Sequence, residues 1–238
     1  MTQRAAMSYI LYSYPDCASI VVRMVLEELG AAYRDESVDM SADAHRSEEF
    51  LRLNPRGMVP VLAETETGAT LAETGAILAF LAEQSGRLAP AVSDAPKRAA
   101  YLQWLYFLSN TLHADAQLQY YTARYVGDAL AEEARPVVQD RMRVHYAMIE
   151  AFITAHGGPW LLGEDLSMCD FYLGGCVRWS LIAPRHAPLL GEDIARHPNL
   201  SRLLERLEAR GSVQRAFDVE ETPRSAYFRA PVRSRHTQ

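Results

Sequence analysis

A proline stands second in the apolar run Val59-Pro60-Val61-Leu62, and it restricts what this chain can fold into more than any other residue. Proline has no N–H to give a sheet ladder, so a strand here must begin at Pro60 or follow a cis turn into it. With a cis bond, the N–H and C=O of Val59 are expected to point outward, unpaired and side by side. An extended peptide can add itself to such an edge. The stretch Asn54-Pro55-Arg56-Gly57-Met58 leads into this run. After the run come turn residues with a glycine, a second short run from Ala69 to Leu71, and then Glu73-Thr74-Gly75 opening an apolar helical pattern. Glu73 and Thr74 therefore stand at a helix start, where free N–H groups and the positive dipole end favour a carboxylate. A backbone ladder and an anion seat are expected side by side.

The first part of the chain alternates. Tyr9 to Tyr12 predicts a buried strand, broken by Ser13-Tyr14-Pro15-Asp16. Ile20, Val21, Met24, Val25 and Leu29 recur at helical spacing up to Gly30, a C-cap signal. Tyr33 to Val38 predicts a second strand, and Phe50, Leu51 and Leu53 a short helix stopped by Asn54-Pro55. Strands around Val61 and Ala69 and a helix from Thr74 to Gln84 complete the order β-α-β-α-β-β-α. Ser85 to Pro90, then Asp94 to Pro96, is the clear boundary by composition. Three units are expected: an α/β domain over 7–86, an all-helical domain over 94–220 and a basic tail over 221–238.

Beyond the boundary, Tyr101, Leu105, Leu108 and Leu112 form a core seam at helical steps. Tyr106, Asn110, His113, Gln117 and Tyr120 step alike on an adjacent flank, the pattern of a helix beside a cleft or of a solvated flank. Ser167 and Asp170 make a capping-box pattern, so Asp170 is expected to serve folding rather than chemistry. Leu200, Leu203, Leu204 and Leu207 predict an amphipathic helix ending at Gly211, and Arg224, Arg229, Arg233 and Arg235 a poorly ordered basic tail.

Composition excludes several classes. A net charge of -6 over 238 residues argues against non-specific nucleic-acid binding, which needs a basic face. No apolar run approaches the roughly 18 residues of a membrane span, and the N-terminus lacks the apolar core of a signal peptide. Three cysteines, Cys17, Cys169 and Cys176, are too few for a disulfide framework, so a reduced, cytoplasmic protein without a metal is expected.

Val-Pro followed about a dozen residues later by Glu-Thr at a helix start resembles the glutathione site of the cytosolic glutathione transferase family. The resemblance extends from about Met7 to about Phe217 and includes Trp160-Leu161-Leu162-Gly163-Glu164 ahead of Ser167 and Asp170. It implies a thioredoxin-like N-terminal domain, an all-helical C-terminal domain, a homodimer and glutathione as cosubstrate in detoxification of a small electrophile. In that reading Met58, Val59 and Pro60 grip the cysteinyl backbone. Glu73 takes the γ-glutamyl amine, Thr74 its carboxylate, and Arg56 or His45 reaches the glycyl end.

The resemblance leaves the sulfur-activating residue open. Lowering a thiol from about 8.5 to about 6.5 takes roughly 2.7 kcal/mol, which one hydrogen bond to a charged sulfur and a helix N-terminus nearly supply. Tyr12 falls where the animal cytosolic classes carry their tyrosine donor. Cys17 falls one residue before the beta-class cysteine, which matches Ala18. Asp16 stands where theta- and zeta-like members carry serine, and Ser13 and Ser19 lie in the same turn. His113, after Trp104-Leu105-Tyr106-Phe107-Leu108, resembles the beta-class histidine that faces the sulfur. The electrophile pocket is expected between the domains, lined by Tyr14, Tyr106, Tyr120 and Trp179. Attack on an electrophile, or reduction of a disulfide or peroxide, is the leading expectation. The alternatives are a glutathione-dependent isomerase or dehalogenase, and a non-catalytic binding or regulatory module of the same fold.

Overall fold

The computed structural model describes residues 8–183, 194–222, 226–230 and 232–233. They divide into two compact units. One runs to Arg87 and takes in Arg210–Thr222; the other takes Leu88–Ala209 and chain beyond Thr222.

The first unit is thioredoxin-like. Its four-stranded sheet has the order β2-β1-β3-β4, with β1 Ser8–Ser13, β2 Ala32–Ser37, β3 Val61–Glu64 and β4 Thr70–Ala72. β1 and β2 run parallel, and the other two pairings are antiparallel. The parallel pair needs a crossover, which α1 (Ser19–Leu29) supplies; its Ile20, Val21, Met24 and Val25 are fully buried. α2 (Glu48–Leu53) starts on Ser47, whose hydroxyl accepts the Phe50 N–H, and stops at Asn54. α3 spans Thr74–Ser85. The register pairs Tyr12 with Val61 and Val61 with Ala72, so the end of β1, the proline turn and the start of α3 meet at one end of the sheet.

The helix Gly211–Val219 also belongs to this unit. Val213, Ala216 and Phe217 are buried, Arg210 and Ser212 bond to Glu28, and Arg215 bonds to Glu27. Gly211 was expected to end the preceding helix. It opens this one instead, because the preceding helix, Pro198–Glu208, gives way to the Ala209-Arg210 turn that Glu28 anchors.

The second unit is helical, with α4 Ala95–Phe107, α5 His113–Tyr120, α6 Thr122–Val126, α7 Asp128–His156 and α8 Met168–Leu181. Every residue of α8 is buried. Its capping box forms as expected: the Asp170 carboxylate accepts from the N–H groups of Leu161 (2.7 Å) and Ser167 (2.8 Å). Between α4 and α5 the helix widens into a π turn at Leu108–Leu112, which keeps Leu108 and Leu112 in the core seam. A two-residue parallel pairing, Ile182–Ala183 with Val232–Arg233, is an addition to the helical pattern.

The expected disordered tail is packed where it is described. Tyr227 and Phe228 are buried, the Phe228 N–H donates to Glu208, and Arg229 pairs with Glu205 and Glu208. Two aromatic side chains supply the burial that the arginines alone would not. Met7, Arg224 and Arg235 lie outside the described residues, as does the side chain of Arg233. Among the described residues no helix is long and apolar enough to cross a membrane.

Candidate functional site

The proline turn is built by Asn54. This side chain, 5% exposed, donates through Nδ2 to the Met58 carbonyl (2.7 Å) and accepts the Arg56 N–H on Oδ1 (3.1 Å), while its own carbonyl accepts the Gly57 N–H (2.9 Å). Gly57 has φ +61°, and a Cβ there would stand 2.9 Å from the His45 carbonyl oxygen, so glycine is needed for both conformation and space. The chain then enters β3 through a cis Val59–Pro60 bond. Among the described residues neither the N–H nor the C=O of Val59 has a hydrogen-bond partner.

Next to it, Glu73 caps α3 with φ 70° and ψ 114°, a conformation that costs a non-glycine residue about 1–3 kcal/mol. Such strain clusters where a backbone is held for a ligand. Its exposed carboxylate pairs with Arg56, and Thr74 behind it is buried. Val59 itself packs with Val38, Phe50 and Val61, and Tyr12, Tyr14 and Cys17 lie against that cluster. The fold thus gathers Tyr12, Tyr14, Cys17 and Val59 in one place. His45 is half-buried with its Nδ1 unpartnered.

The sulfur-activating candidates separate on chemistry. The Tyr12 ring packs edge-on to Phe50, 6.1 Å between centroids, and its hydroxyl has no partner among the described residues. Ser13 is committed to Asp35 and Arg23, and Ser19 to the main chain of Tyr14. Asp16 adopts φ 57° in a turn closed by the Cys17 N–H on the Tyr14 carbonyl, the type II pattern with proline at its second position. Cys17 is half-buried, and burial first, then the charges of Asp16 and Glu220, push its thiol up to about 12. A resident thiolate requires the opposite shift.

In the second unit, His113 donates or accepts at Nδ1 with the Tyr172 hydroxyl (3.0 Å) and lies over Trp179, 4.4 Å between ring centroids. Burial lowers it to about 4, so the imidazole is neutral at physiological pH. Tyr106 is exposed, Tyr120 packs edge-on to Tyr121, and Trp179 is buried. Among the described residues no group of three or more His, Cys, Asp or Glu side chains is placed to share a metal ion.

The family model for the glutathione S-transferase N-terminal domain matches residues 7–83, and that for the C-terminal domain matches residues 114–216. The chain belongs to the glutathione S-transferase family. It is 28% identical over 213 residues to glutathione S-transferase GST-4.5 of Xanthomonas campestris pv. campestris, covering 88% of this chain and 98% of that protein. It is 25% identical over 212 residues to the disulfide-bond oxidoreductase YfcG of Escherichia coli, covering 87% and 93%. A glutathione transferase homologue from Sulfitobacter, solved with bound glutathione, superposes with a TM-score of 0.75 at 27% identity, over 89% of this chain and 98% of that one.

Within this member of the family, sequence reasoning missed Asn54 as the organiser of the proline turn and Glu220 as a partner of the Asp16 turn. The Asn-Pro dipeptide carried a signal for the first. A contact between residues 204 positions apart carried none for the second.

Proposed function

We propose that the chain binds glutathione along Val59 and at the start of α3, and activates its thiol for attack on a small electrophile. The observation that carries this is the unpartnered main chain of Val59, in a chain whose Sulfitobacter relative was solved with glutathione bound. Val59 pairs with the cysteinyl backbone while Met58 and Pro60 hold the turn. Thr74 receives the γ-glutamyl carboxylate at the helix start. Glu73 receives the amine. Its exposed pair with Arg56 is worth only about 0–1 kcal/mol, so a ligand ammonium can compete for it.

Tyr12 is the donor to the sulfur in this reading, because its hydroxyl is free while Ser13 and Ser19 are committed. A hydrogen bond to a thiolate contributes about 1.5–3 kcal/mol, so Tyr12→Phe should cut kcat/KM for glutathione conjugation to chlorodinitrobenzene about ten- to a hundredfold. Cys17→Ala should change it by less than about twofold, since the raised thiol contributes no thiolate. Calorimetric titration supplies the wider check: an absence of binding at millimolar glutathione would overturn the reading in favour of a non-catalytic module.

Disulfide reduction is the second reading, favoured by the likeness to YfcG. A hydroxyethyl disulfide reductase rate exceeding conjugation in the same preparation selects it. The protein is proposed to be a cytoplasmic homodimer. The support for dimerisation is an apolar stripe on α7, where Leu130, Val137, Val144 and Met148 are 54%, 64%, 66% and 44% exposed. Steps of seven and four put them on one helix face.

A further inference from the structure

Asn54 makes one bond more than its turn requires. It closes α2 by donating its N–H to the Phe50 carbonyl (2.9 Å), and its own carbonyl accepts the Gly57 N–H (2.9 Å). On the side chain, Oδ1 accepts the Arg56 N–H (3.1 Å) and Nδ2 donates to the Met58 carbonyl (2.7 Å). The first three bonds would form equally well with aspartate, whose carboxylate closes the same two-residue turn. Only the Nδ2 bond requires an amide, because a carbonyl oxygen needs a donor and an ionised carboxylate has none. The residue is 5% exposed, so this choice of side chain is made in a buried setting where an unmatched polar group is costly.

The reason lies at the other end of the peptide group that Nδ2 reaches. The Met58 carbonyl and the Val59 N–H belong to one peptide unit. The cis bond is the next one along, between Val59 and Pro60, so the Met58–Val59 unit is trans. A trans unit is planar, with its C=O and N–H pointing opposite ways. Asn54 therefore holds one end of the plane whose other end is the unpartnered Val59 N–H. Fixing the carbonyl fixes the direction of that N–H. A bond accepted at the oxygen also strengthens the donor at the nitrogen, as in any chain of hydrogen bonds. The Val59 side chain, packed with Val38, Phe50 and Val61, holds the same unit from the core.

We propose, on the reading that glutathione binds along Val59, that Asn54 is a positioning residue: it orients and polarises the Val59 N–H that donates to the ligand's cysteinyl carbonyl, without touching the ligand itself. Asn54→Asp isolates this role, since it keeps the acceptor for the Arg56 N–H and loses the donor to Met58. Calorimetric titration with glutathione should give a dissociation constant about three- to tenfold higher in the variant, the effect of one neutral hydrogen bond. The increase should persist in about 0.5 M salt, where the charge of the new carboxylate is screened. Unchanged glutathione binding in a variant with intact circular dichroism would overturn the proposal, and so would a loss that disappears at high salt. A second measurement needs only wild type. In NMR of isotope-labelled protein titrated with glutathione, the Asn54 side-chain amide should shift in step with the Val59 N–H, while those of Asn110 and Asn199 stay still. A Val59 N–H that moves beside a motionless Asn54 amide sinks the proposal, whether or not Asn54→Asp folds. Wild type that fails to bind glutathione at all removes the reading beneath it, and this role with it.

Discussion

Asp170 shows what one residue carries in this fold. It is fully buried, and it accepts from two main-chain N–H groups and the Ser167 hydroxyl. Replacing it with alanine strands those donors, each at about 1–3 kcal/mol, so Asp170→Ala should lose about 3–5 kcal/mol in chemical denaturation. Burial raises its carboxyl from 3.8 to about 6. The stability linked to its protonation is therefore complete below the unfolded value and lost as pH rises through about 6. The variant should show a flatter stability profile than wild type between about pH 4 and pH 6. This residue was legible in the sequence because a capping box is local. Cys17 was not, since its position suggested an accessible helix entrance while burial first, then the charges of Asp16 and Glu220, push its thiol up.

Among elements, the loop from Asn54 to Pro60 decides most. Its proline turn was readable from a missing N–H, whereas the positive φ of Gly57 came from the structure. Gly57→Ala would add the left-handed cost of about 1–2 kcal/mol and press a methyl against the His45 carbonyl. We expect a matching drop in stability and a glutathione dissociation constant raised about fivefold or more in calorimetry, because Met58 and Val59 follow directly. The π turn at Leu108–Leu112 left no such trace. Its ordinary leucines, serine, asparagine and threonine fit an α-helix equally well, and only packing of the core seam selects the wider turn.

At the scale of the whole molecule, one division falls at Arg87, inside the boundary that composition marked, and a second falls at Arg210, which composition did not mark. Arg210–Thr222 is grouped with the first unit, because Val213, Ala216 and Phe217 bury themselves and Glu27 and Glu28 bind Arg215 and Arg210. The proposed self-association belongs to this scale too. Val137→Glu combined with Val144→Glu places two charges on the α7 stripe without touching a buried residue. Light scattering after size exclusion should then read the mass of one chain where wild type gives two, with unchanged circular dichroism. A wild-type mass of a single chain would refute the dimer.

Sequence alone determined the alternation of strands and helices up to Ser85, the proline turn, the helix start at Glu73 and the capping box, because each is written in neighbouring residues by period, turn chemistry or a missing N–H. Tertiary structure decided the rest. It brought Glu220 to Asp16 and Tyr172 to His113, buried the aromatic pair Tyr227 and Phe228, and separated a free Tyr12 hydroxyl from a committed Ser13. Those outcomes depend on which distant side chains share a low-dielectric interior, and that is set by packing rather than by local propensity.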